Sequence, residues 1–198
     1  MPSRSFAICL YFSKEEFDMA LFLRDVYLEK LERTDLRSAE DYLRMRADKL
    51  NTDEALARYM GEVFWMLLCR DNIELTESEA EICRTNLSIL RQTAERAPKG
   101  ALLPALAGHI TERWPWLFAD FAINAASAEE TMKLAEQRAE RLFGKALLTD
   151  PRNPLAAALI YPRNDDGKRV LPRDIKKALL DSLSGESAIE YYLKNEIC

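Results

Sequence analysis

Along most of the chain, apolar residues recur three, four and seven positions apart. This is the period of helices that bury one stripe and solvate the rest. The pattern predicts helices at about 14–33, 39–50, 52–70, 77–97, 101–112, 115–126, 128–148, 154–161, 174–184 and 188–196. A Ser, Thr or Asn followed three residues later by an acid marks six starts: Ser13/Glu16, Ser38/Asp41, Asn51/Glu54, Thr76/Glu79, Ser127/Glu130 and Ser187/Glu190. In such a box the first side chain caps an orphan backbone N–H and the acid reaches back to the cap. "APKG" and "DPRNP" read as breaks.

Two helices depart from the single stripe. In 14–33, Phe17, Ala20, Leu21, Tyr27, Leu28 and Leu31 share one face, while Met19, Phe22, Leu23 and Val26 lie roughly opposite. Such a helix is either sandwiched within the bundle, the commoner arrangement, or offers its second face to another chain. Arg24 falls within the first stripe and calls for a carboxylate partner if buried. In 52–70 the run "VFWMLLC" leaves no polar face, which makes this the central helix; Trp65, sharing a side with Arg58 and Glu62, belongs at the edge of the core.

The expected fold is therefore all-α: an irregular multi-helix bundle around a central apolar helix at about 52–70. Residues 1–149 would form the bundle core and 150–198 a C-terminal helical appendage packed on it, in a single domain overall. "FAICLYF" near the N-terminus suits either a short buried strand or the start of a helix. Around Asp165-Asp166-Gly167 a small β-hairpin is an option near 159–171, because Asp-Gly suits a tight turn.

Composition fits this picture. Of 198 residues, 48% are hydrophobic and 31% charged, and only 6 glycines and 8 prolines occur, too little turn chemistry for an all-β design. The net charge of −5 argues against broad affinity for nucleic acid or membranes, both polyanionic. No run approaches the ~20 apolar residues that span a bilayer, so the expected location is cytoplasmic. Cys9, Cys69, Cys83 and Cys198 form no C-x-x-C pair and read as reduced core thiols. With one histidine in the chain, neither a zinc site nor any other metal or cofactor is expected.

The motifs of common enzymes are missing: there is no phosphate-binding glycine loop, no G-x-S-x-G elbow and no kinase set. A catalytic triad would have to use His109, which has no evident nucleophile beside it and reads as a structural histidine near Glu112 and Ala105. Carboxylate pairs such as Glu15/Glu16, Glu129/Glu130 and Asp165/Asp166 fall at caps and turns. No catalytic residue is assigned, and the chain is expected not to be an enzyme.

"RWPWLFADF" is the densest aromatic stretch, with Pro115 starting a helix after a bend. Its tryptophans read as core or as interface anchors. "GHITERWPWLFADFAINAA" resembles the His-x-x-x-x-Trp helix region of the all-helical maturation chaperones of the TorD type, over a small fraction of the chain.

Between residues 150 and 180 the motifs Pro-Arg-Asn, Pro-Arg-Asn and Pro-Arg-Asp recur. Asn153 before Pro154 is a good N-cap, Asp174 can cap "IKKALLDSL", and Asn164 opens a turn. Seven basic residues stand here against four acidic ones. Arg152, Arg163, Lys168, Arg169, Arg173, Lys176 and Lys177 read either as a solvated surface with local ion pairs or as a patch for an anion or an acidic partner.

Two functions follow as expectations. The first is a non-enzymatic protein-binding module — an adaptor, chaperone-like factor or inhibitor — with Met19, Phe22, Val26, Trp114 and Trp116 as candidate interface. Its partner would be another protein or a second copy in a homodimer. The alternative is a nucleic-acid-binding regulator using the basic 150–180 segment, although no helix-turn-helix signature supports it.

Overall fold

The computed structural model describes residues 25, 27–28, 31, 35–120, 127–165, 167–183 and 188–197. Among them are eight helices: α1 (Leu36–Leu50), α2 (Asp53–Leu68), α3 (Glu77–Arg96), α4 (Leu102–Arg113), α5 (Ala128–Thr149), α6 (Pro154–Leu159), α7 (Arg173–Ser182) and α8 (Ala188–Ile197). A short 3-10 turn, Pro115–Leu117, follows α4. The protein is all-α. The only extended pairing among the described residues is an antiparallel bridge between Arg163 and Arg169. This is the expected hairpin at its smallest. Gly167 N–H donates to Asn164 O at 2.9 Å, Asn164 N–H to Lys168 O at 2.8 Å, and Gly167 takes the positive φ of 78° that the turn requires.

Helix starts follow the caps, with shifts. Thr76 and Glu79 make the full reciprocal box at the head of α3. Ser127 accepts from Glu130 N–H, and Asn153 caps α6 ahead of Pro154. The expected box at Ser38/Asp41 is not the start of α1: Asp35 is the N-cap, and Ser38 is helical with its hydroxyl bonded to Asp35. Asn51 is not a cap of α2 but the left-handed residue that ends α1, and Thr52 caps α2. Asp174 does not cap α7, whose N-cap is Pro172 without a side-chain bond. The expected 14–33 helix does not run through Asp25. That residue is non-helical, and its carboxylate accepts from Leu28 N–H at 3.1 Å, the N-cap pattern, as it also takes Tyr42 and Arg46 of α1. The first box, "FAICLYF", Arg24, Met19, Phe22 and Val26 lie outside the described residues.

α2 is central, as its sequence requires. It is buried almost all round and packs against α1, α3, α4 and α8. It shares that role with α4, buried from Leu102 to Thr111. The small residues Ala105, Ala107 and Gly108 let α4 approach its neighbours closely, and its contact with α5 is the most extensive in the molecule. α4 has no side-chain cap of its own. Asp53, at the head of α2, supplies one by accepting from Leu102 N–H at 2.8 Å and Leu103 N–H at 3.2 Å. Burial pushes the Asp53 carboxyl above its ordinary range, while these two bonds pull it back.

Candidate functional site

The C-terminal end of α4 gathers the chain's one histidine, two acids, three arginines and three aromatic rings. His109 is 0% exposed, with Nε2 3.1 Å from the Tyr192 hydroxyl of α8. Phe64 of α2, Trp114 and Tyr192 pack mutually at centroid distances of 5.1 to 5.4 Å, and His109 lies 6.0 Å from Trp114. Arg113 covers Trp114 and pairs with Glu196 at 3.2 Å.

The hairpin closes this cluster from one side. Arg163 and Arg169 both bond to one Glu112 oxygen, Arg163 at 3.0 Å. Each also ties down a backbone carbonyl, Arg163 that of Gly167 and Arg169 that of Tyr161 at 2.6 Å. The Arg169 side chain is only 5% exposed and lies over the Phe143 ring. Burial lowers its pKa, and Glu112 opposes that effect. The His109 ring is driven well below the ordinary imidazole range, first by burial and then by Arg163, Arg169 and Arg113. It is therefore neutral at pH 7. Burial likewise raises the Tyr192 phenol.

A second buried charge group lies where α3 meets the end of the 3-10 turn. Arg91 is fully buried, stacks 4.5 Å above the Phe118 ring and pairs with Asp120, which Arg138 of α5 also holds at 2.9 Å. Burial works against the Asp120 carboxylate, but Arg138 and Arg91 together keep its pKa below the ordinary value. This group ties α3 and α5 to the segment after the 3-10 turn.

The sequence-predicted residues divide in this setting. Trp114 faces the core aromatics, whereas Trp116, two residues on, is 59% exposed. Arg163 and Arg169 turn inward onto Glu112. Arg152, Lys168, Arg173, Lys176 and Lys177 are exposed, with Lys177 paired to Asp181. Sequence reasoning missed Arg113, Tyr192 and Glu196, and it took Glu112 only as a neighbour of His109. The available signal was helical spacing, since Glu112 and Arg113 follow His109 by three and four positions. Nothing in the sequence connects them to residues 163, 169, 192 and 196.

Among the described residues, no three His, Cys, Asp or Glu side chains gather as metal ligands, and no helix is long and apolar enough to cross a membrane. Against known protein families, curated proteins and solved structures, the chain gives no significant match in any of the three comparisons.

Proposed function

We propose that this chain is a non-enzymatic protein-binding module, an adaptor, chaperone-like factor or inhibitor, that grips its partner through Trp116. The observation that carries this reading is the pairing of an exposed indole with a rigid mount. Trp116 projects from a 3-10 turn whose other two residues, Pro115 and Leu117, are buried, and the preceding Trp114 is locked among aromatic rings. A side chain on a backbone already fixed in place loses less freedom on binding, and tryptophan is enriched among the energetic centres of protein interfaces. Ile160 and Val170, both about half exposed, lie in and beside the hairpin that docks on Glu112 of α4. The nucleic-acid alternative has less to rest on, because two of its seven basic residues are spent on Glu112.

The test is affinity capture from lysate of the source cell with wild type, Trp116→Asp and Leu148→Asp, quantified by mass spectrometry. The reading expects a discrete partner retained by wild type and Leu148→Asp but lost with Trp116→Asp. Light scattering reports the self-association version as a doubled mass. Identical capture by all three proteins, with all three monomeric, overturns the reading.

A further inference from the structure

The cluster around His109 joins three parts of the chain that are far apart in sequence: the end of α4, the 161–170 hairpin and α8. We propose that it is an acid-sensitive latch, in which protonation of the His109 ring releases the hairpin and α8 from the end of α4.

The geometry sets the conditions for such a latch. The ring is wholly enclosed, and His109 Nδ1 has no hydrogen-bond partner among the described residues. In the doubly protonated ring Nε2–H can donate to the Tyr192 hydroxyl, but Nδ1–H meets no acceptor among the described residues, and the ring becomes a buried cation. Arg113 and Glu112 face the ring's surroundings from α4, Arg163 and Arg169 from the hairpin, Tyr192 and Glu196 from α8; Glu190 is also buried on α8. From α2 the Phe64 ring packs on Tyr192, and from α5 the Phe143 ring lies beneath Arg169; α2 also buries the charged side chains of Arg58 and Glu62. Glu112 and Glu196 are already engaged by the three arginines. The new charge thus meets three guanidinium groups and two acids already committed to them.

The hairpin and α8 are the parts that yield. The hairpin is closed by a single bridge and a few turn hydrogen bonds, and it docks through the two Glu112 ion pairs and the Arg169 side chain over Phe143. Besides Tyr192 and Glu196 in the cluster, α8 buries Ile189, Glu190, Leu193 and Ile197 and packs on α2, where Ile189 meets Gly61, so its release also exposes this apolar contact. Opening here exposes His109 without dismantling the α1–α3 packing, so it is less costly than global unfolding.

The sign follows from linkage. The unfolded or opened ring titrates near 6.5 and the enclosed ring well below it. The open state therefore binds more protons between those two values. The latch is at full strength above pH 6.5 and weakens as pH falls through that window. Each pH unit can favour opening by at most about tenfold.

Hydrogen exchange of the full chain between pH 7.5 and 5, corrected for intrinsic rates, reads the opening directly. In wild type, protection of amides in 161–170 and 188–197 should fall up to about tenfold per pH unit below 6.5 while 53–96 stays protected. In His109→Gln that pH dependence should disappear. A flat wild-type profile, a loss shared equally by 53–96, or a wild-type slope retained in His109→Gln overturns the proposal. Should the variant fail to fold, the ring carbon resonances of the single histidine in wild type decide. Titration in step with loss of hairpin protection supports the latch, and titration near 6.5 with the hairpin still protected refutes it.

Discussion

Two glycines on facing helices offer a matched test of the α4–α5 packing. At Gly108 of α4, an added Cβ would stand 2.5 Å from Phe143 Cε1, 2.8 Å from Phe143 Cδ1 and 3.2 Å from Leu142 Cβ. At Gly144 of α5, a Cβ would meet nothing within 4 Å. In both helices alanine gains about 0.8–1 kcal/mol over glycine in intrinsic propensity. Nothing opposes that gain in Gly144→Ala, so stability should rise by about 0.5–1 kcal/mol and Tm by roughly 1–4 °C for a chain of this length. In Gly108→Ala the Phe143 ring must retreat by about 1 Å to restore normal contact distances. Phe143 and Leu142 are buried, so the ring has nowhere open to go. Overpacking of this kind costs about 1–3 kcal/mol, and two clashing ring atoms place it in the upper part of that range. Subtracting the propensity gain leaves a net loss of roughly 1–2 kcal/mol, or a Tm lowered by about 2–8 °C. Urea titration followed by circular dichroism, with the m-value checked for constancy, measures both variants. If Gly108→Ala is as stable as wild type, or Gly144→Ala loses as much as Gly108→Ala, the described α4–α5 contact is wrong.

Other consequences follow at separate sites. Glu112→Ala leaves Arg163 and Arg169 mostly buried without their shared acid, and should cost about 3 kcal/mol by thermal or urea unfolding. Lys177→Ala, breaking an exposed pair, should stay within about 0.5 kcal/mol. Asp53→Ala removes the only side-chain acceptor described at the head of α4 and should lose about 1–2 kcal/mol, with exchange at Leu102 and Leu103 amides rising first. Glu79, held by Arg37 and Thr76, should titrate at about 2 in carboxyl NMR, and Arg37→Ala should move that midpoint toward 4.5. Its contribution is complete above pH 4.5 and fades as pH falls through about 2.

How far sequence reading reached depended on whether the deciding interaction was local. α2 was found because a run with no polar face has only the interior to occupy. The Asn164–Lys168 turn was found because glycine at 167 supplies a conformation other residues avoid. Boundaries slipped where two residues competed for one cap. Asn51 and Thr52 both qualify, and only the left-handed exit of α1 assigns Asn51 to the preceding helix. α4 went unrecognised as a second central helix because, between its buried Leu102, Leu103, Leu106 and Ile110, the remaining faces are closed by small residues whose hydropathy is modest but whose size permits close approach. The Asp53 cap of α4 joins positions about fifty residues apart. The Glu112 fork joins positions 51 and 57 residues apart. In sequence both acids look like ordinary first-turn or surface carboxylates. The same holds for Arg163 and Arg169: charge counting placed them in a surface patch, and only the fold brings Glu112 beneath them.

A photo-crosslinking amino acid placed at residue 116, and separately at residue 148 as a control, tests the proposed role most directly in the source cell. Leu148 is more exposed than Trp116, at 86% against 59%, so exposure alone favours the control. The account predicts a discrete protein adduct from position 116 and none of that mass from position 148. No adduct at 116, or the same adducts from both positions, would contradict it.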